Sequence, residues 1–173
     1  MIHKTAIINP KAKISSTVKI GPYSIIGPDV EIDDDVVIQS HVNITGHTKV
    51  GKRNILYPMS SIGSAPQDLK YNGEKTSLTI GDGNIIREHV TINTGTIQGG
   101  SITKIGSNNL FMIGTHVAHD CIIGNNIVMA NNSAIAGHAI IDDFVIIGAK
   151  CGIQQFVRIG KMAMIGGMTG VSR

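Results

Sequence analysis

Tryptophan is absent from this 173-residue chain, and aromatic residues make up only 3% of it. A core without rings must be filled by aliphatic side chains, which suits flat, stacked layers better than an irregular interior. No apolar stretch approaches the ~20 residues of a membrane-spanning helix. Two cysteines, Cys121 and Cys151, are too few for a disulfide-built scaffold. The net charge of +3 is scattered. It lacks the basic runs and interleaved aromatics of a nucleic-acid binder, although it is compatible with a mildly acidic partner. Met1-Ile2-His3-Lys4 enters the main sequence pattern at once, so no signal peptide is expected and a cytoplasmic location is predicted.

Against these absences stands one regularity: isoleucine or a close substitute recurs at every sixth position. The series runs from Ile2 and Ile8 through Ile44, Val50 and Leu56 to Ile62, and resumes at Ile80, Ile86 and Ile92. It continues from Ile105 through Phe111, Val117, Ile123, Met129 and Ile135 to Ile165 and Val171. Two places before each aliphatic stands a small or β-branched residue, such as Ala12, Ser24, Val36, Cys121, Ala139 or Cys151.

A period of six matches neither the roughly 3.6 of an amphipathic helix nor the roughly 3.5 of a coiled coil, but it contains the strand period of two. Each hexad is therefore one short strand and a corner, with the aliphatic and the small residue both pointing inward. Three hexads close a turn of 18 residues, whose backbone pairs with the turns above and below at about 4.8 Å. The predicted fold is all-β: a parallel β-helix of hexapeptide repeats, forming a triangular prism as a single domain over residues 1–173. Periodicity leaves the hand of the coil open. Inward aliphatics worth on the order of 1.5–3 kcal/mol each make a disulfide unnecessary, and the two cysteines are expected to be buried and reduced.

The period breaks twice. From Ile62 to Ile80 the phase survives, yet the intervening inward slots would hold Asp68 and Glu74, so residues of about 63–79 are predicted to loop out. From Ile92 to Ile105 the phase shifts by one, placing a second loop at about 94–103. Excursions from a solenoid are natural places for ligand-binding groups.

Histidines cluster next, in Gly114-Thr115-His116-Val117-Ala118-His119-Asp120-Cys121 and in Ala136-Gly137-His138. Relative to the inward frame, His116, His119, Gly137 and His138 all lie outside the core. His119, Gly137 and Gln155 are separated by successive multiples of 18 residues and should stack along one edge of the prism. An imidazole of ordinary pKa, about 6.5, can take a proton from a hydroxyl nucleophile. A peptide N–H such as that of Gly137 can stabilise the resulting oxyanion. The outside of a prism is flat, so an enclosed pocket on that edge calls for a second copy of the chain. His41, His47 and His89 are assigned no chemistry.

Several runs carry a resemblance. Gly46-His47-Thr48-Lys49, Gln67-Asp68-Leu69-Lys70-Tyr71, Arg87-Glu88, Gln98-Gly99-Gly100, His116-Val117-Ala118-His119-Asp120-Cys121, Ala130-Asn131-Asn132 and Asp142-Asp143-Phe144 resemble, in order and spacing, the UDP-N-acetylglucosamine O-acyltransferase family of lipid A synthesis. The resemblance covers essentially the whole chain. It implies a left-handed coil, a homotrimer with active sites between subunits, and no cofactor or metal.

By the same resemblance, His119 would be the general base on the sugar 3-hydroxyl, which attacks the thioester of a 3-hydroxyacyl acyl carrier protein. Asp120 would orient His119, and the Gly137 N–H would bind the oxyanion. Asp68, Lys70, His116 and His138 would hold the nucleotide sugar, with Gln155 further along the cleft. Gly167 matches the position that measures acyl-chain length, and a glycine there leaves the groove open to a longer chain.

Two departures from the family pattern stand out. Gln154 replaces a usual histidine, and the helical C-terminal domain that the resemblance implies is not among these 173 residues. Two other readings remain open at this level: a β-helix remnant without catalysis, and a zinc-binding β-helix trimer of carbonic-anhydrase type, for which His116, His119 and Cys121 would be the candidate ligands.

Overall fold

In the computed structural model, which describes residues 1–172, the hexads coil into a left-handed parallel β-helix. Its three sheets hold nine, eight and eight strands, all paired in parallel. The first sheet runs from Ile7–Ile8 to Gly170–Val171, the second from Lys13–Ile14 to Arg158–Ile159, and the third from Lys19–Ile20 to Met164–Ile165. Most strands are two residues long because a corner must follow within the same hexad.

The turn length is read directly from the pairing. Ile7 pairs with Ile25 and Lys104 with Ile122, an interval of 18 residues. Each aliphatic of the series stacks on its counterpart in the next turn. Ile44, Leu56, Ile62, Phe111 and Met129 are wholly buried. The corners bend through left-handed backbone, which costs ordinary residues roughly 1–2 kcal/mol each. Asp120, His138 and Phe156 occupy that region on one edge, at φ of 60°, 64° and 62°.

A second edge is tied internally by asparagines in the small inward slot. The Asn54 side-chain oxygen accepts from the Asn84 backbone N–H at 2.8 Å, that of Asn84 from the Asn109 N–H at 2.9 Å, and that of Asn109 from the Ile127 N–H at 2.7 Å. This buried chain of amides spans the turns that carry the interruptions and holds them in line.

Both excursions leave the same edge, between the first sheet and the second, on adjacent turns. Across the first, Ser61 pairs with Thr91, an interval of 30 rather than 18. Across the second, Thr91 pairs with His116, an interval of 25. Both are shorter than the sequence bounds. The strands Ser61–Ser64 and Ser77–Ile80 confine the first to residues 65–76, because the longer second-sheet strand His47–Val50 pairs residue for residue with Ser77–Ile80. The strand Ile102–Ile105 limits the second to 94–101, within which Ile97–Gly99 forms a single 3-10 turn.

Candidate active site

On the turn after the second excursion, the same edge carries Ala118-His119-Asp120-Cys121. The Asp120 side chain is completely buried. Burying a carboxylate is costly unless its oxygens are satisfied, and the second excursion supplies the donors. The Thr96 backbone N–H donates to Oδ1 of Asp120 at 2.8 Å, and the Thr96 hydroxyl donates to Oδ2 at 2.6 Å. Gly99 packs so closely on this carboxylate that a side chain there would overlap it. The Asp120 backbone N–H donates to Oγ1 of Thr103 at 2.8 Å.

Oδ2 of Asp120 also lies 2.7 Å from Nδ1 of His119. A carboxylate only accepts, so Nδ1 carries the proton and Nε2 keeps its lone pair. Nε2 lies 3.9 Å from Oδ2 of Asp68 on the first excursion. The other oxygen of Asp68 accepts the Lys70 backbone N–H at 2.8 Å, which fixes the carboxylate in that direction. The His119 side chain is 12% exposed. The first excursion thus reaches His119 within a single chain, while the groove beside the imidazole stays open.

One turn further, Gly137 lies directly beneath the imidazole of His119. His138 packs edge-on against His119 with ring centroids 5.0 Å apart and stacks face to face on Phe156 at 4.3 Å. Its Nδ1 is 3.9 Å from Oδ2 of Asp120. Burial pushes the pKa of His138 below the ordinary imidazole value, with a contribution from His119, while Asp120 and Asp68 oppose the shift. His116 bonds Oγ1 of Thr91 through Nδ1 at 2.8 Å, and burial, followed by the neighbouring His119, lowers its pKa as well.

An open groove of about 480 Å³ runs past these residues, lined by Gln67, His116, His119, Gly137 and Gln155. Space for it opens along the first sheet because the outward column shrinks from His116 to Ala134 to Gly152.

Eight of the residues singled out from sequence thus gather on or beside one edge: Asp68, Lys70, His116, His119, Asp120, Gly137, His138 and Gln155. Lys70 is exposed, with its charge felt at His138. Gly167 is not among them. It lies on the far edge of the first sheet, below Ala149, where an added Cβ would meet only the Ala149 backbone, at 3.3 Å from its oxygen. The zinc reading loses its sulfur ligand, since Cys121 is wholly buried and its thiol donates to the Ala136 carbonyl. The nearest potential ligand set is instead His119, Asp120 and His138, in which the Asp120 oxygens already bond Thr96 and His119. Sequence reasoning missed Thr96. It falls within the second predicted loop, but nothing in the spacing placed it on Asp120.

The regular coil carries a histidine–carboxylate pair that opens onto a surface groove, and its residues 11–46 match the hexapeptide-repeat family model described as bacterial transferase hexapeptide (six repeats). The chain is 58% identical over 172 residues to the acyl-[acyl-carrier-protein]–UDP-N-acetylglucosamine O-acyltransferase of Aliarcobacter butzleri, covering 99% of this chain and 66% of that one. The UDP-N-acetylglucosamine O-acyltransferase of Moraxella catarrhalis superposes with a TM-score of 0.97 at 48% identity, over 98% of this chain and 66% of the other. The UDP-N-acetylglucosamine acyltransferase of Campylobacter jejuni superposes with a TM-score of 0.96 at 38% identity, over 100% and 68%. The chain belongs to the UDP-N-acetylglucosamine O-acyltransferase family. It spans about two thirds of the length of these relatives.

Proposed function

We propose that the chain transfers a 3-hydroxyacyl group from an acyl carrier protein thioester to the 3-hydroxyl of UDP-N-acetylglucosamine, the opening step of lipid A synthesis, and does so in the cytoplasm as a homotrimer. The observation that carries this reading is the 2.7 Å contact from His119 Nδ1 to Asp120, which leaves Nε2 as an acceptor beside the groove. Nε2 of His119 takes the proton of the sugar hydroxyl as its oxygen attacks the thioester carbon. The tetrahedral oxyanion receives the N–H of Gly137. Collapse breaks the C–S bond, and the leaving thiolate takes the proton back from the imidazolium. Asp120 keeps Nδ1–H in place and balances the transient positive charge, with Asp68 facing the other nitrogen.

His116, His138, Asp68, Lys70 and Gln155 would hold the nucleotide sugar along the groove, and Gln154 would replace a charged contact with a neutral one. Support for side-by-side assembly comes from the third sheet, whose outward column from Val37 through Ile55, Ile85, Leu110, Val128 and Ile146 to Met164 is entirely apolar. An acyl chain lying between prisms would pass Gly167, where the absent side chain leaves room for a longer donor. The test is acyl transfer by the purified chain with both substrates, beside His119→Ala, with the mass in solution measured by sedimentation. Turnover lost in the variant supports the reading. A folded trimer without turnover supports a catalytically silent coil instead.

A further inference from the structure

Cys121 follows Asp120 directly, is wholly buried, and takes no part in the chemistry above. Its thiol donates to the carbonyl oxygen of Ala136 at 3.2 Å. Burial pushes its pKa up to about 12, so it is present as the S–H donor at any working pH. Among the described residues, the Ala136 carbonyl accepts from no other group, and the Gly137 N–H donates to none.

These two groups belong to one peptide unit, which is trans. In a trans peptide the C=O and N–H point in opposite directions. A carbonyl held inward by Cys121 therefore turns the N–H outward at Gly137, the residue that lies beneath the His119 ring and lines the groove. We infer that Cys121 is a positioning residue for acyl transfer, fixing and polarising the Ala136–Gly137 peptide so that its N–H is aimed at the developing oxyanion. This rests on the acyl-transfer reading given above.

The fold contains its own controls. Cys151 occupies the same kind of inward slot and donates to the Gly166 carbonyl at 2.9 Å, away from the site edge. Ser24 makes the equivalent bond to the Gln39 carbonyl at 2.7 Å, so a serine hydroxyl in this slot reaches the same acceptor. A role in packing alone predicts that Cys121→Ala and Cys151→Ala behave alike. A role in positioning predicts that only the first slows the chemical step.

The experiment compares kcat, KM for the nucleotide sugar and thermal midpoint in wild type, Cys121→Ala, Cys121→Ser and Cys151→Ala, with the two alanine variants expected to lose similar stability. Cys121→Ala should lower kcat about tenfold, less than the loss of an oxyanion donor itself, with KM unchanged. Cys121→Ser should restore most of kcat, and Cys151→Ala should leave it near wild type. The proposal is overturned if the two alanine variants match in kcat, or if the loss in Cys121→Ala falls on KM. An inactive wild-type chain would sink the acyl-transfer reading and this proposal together, whereas an active chain with matched variants sinks this proposal alone.

Discussion

The imidazole of His119 lies across Gly137: a Cβ on Gly137 would fall 2.5 Å from Cε1 and 2.7 Å from Nε2 of the ring. Neither atom could stay where it is. Gly137→Ala should therefore push the base away from the groove while the surrounding hexads still stack. Turnover should fall by about 10²-fold, the scale of a misplaced reacting group, with the circular dichroism of the parallel sheets unchanged. Near-normal turnover would show that the ring has another working position.

Thr96 reaches Asp120 with both its backbone N–H and its hydroxyl. Thr96→Val keeps the shape and removes the hydroxyl donor to a buried carboxylate, a loss of about 1.5–3 kcal/mol. Urea unfolding should show that decrease, and Thr96→Ser should recover it. An unchanged midpoint in the valine variant would mean that water or another donor takes over the vacated oxygen.

His116 and His138 both have lowered pKa values, burial being the largest cause in each. Above the ordinary imidazole value neither the folded nor the unfolded state carries the proton, and the stability is complete. As pH falls below that value the unfolded chain binds protons that the buried rings still refuse, so stability declines until the folded-state values are passed. Urea midpoints measured at about pH 7.5 and 5.5 should fall towards the acid side, with a smaller difference in His116→Gln. A midpoint that rises on acidification would contradict the direction of both shifts.

Excising residues 65–76 removes the twelve positions by which the 30-residue pairing interval exceeds the regular 18. Ile80 would then follow Ile62 at the normal hexad spacing. The shortened chain should fold with a cooperative transition and lose turnover, because Gln67, Asp68 and Lys70 leave with the loop. His119 should react faster with an imidazole-modifying reagent, its cover on that side being gone. A chain that fails to fold would show instead that the excursion supports the coil.

The hexad series was legible because an inward slot admits few residue types, and each departure from them had a structural cause. Asp68 and Glu74 in such slots mark the first excursion in the sequence itself. The vertical stack of His119, Gly137 and Gln155 followed from a turn length that holds below the last interruption. Proximity across the interruptions was another matter. Asp68 meets His119, and Thr96 meets Asp120, through loops whose paths are set by side-chain and backbone bonds rather than by the period. The separation of Gly167 from the histidine edge was legible by the same turn-length arithmetic, since it follows Gln155 by twelve residues, two thirds of a turn.

The second excursion adds seven residues, one more than a hexad, and yet Thr91 and Ile92 before it pair in register with His116 and Val117, and Ile102–Ile105 after it pairs residue for residue with Ser77–Ile80. Phase along the chain is therefore not transmitted through a corner; every turn takes its alignment from the backbone of the turn before it. Such a prism stores alignment locally, like courses of masonry laid one on another. Length at the site edge therefore differs from turn to turn, with twelve extra residues in one and seven in the next, while the hexads beyond keep their pairing.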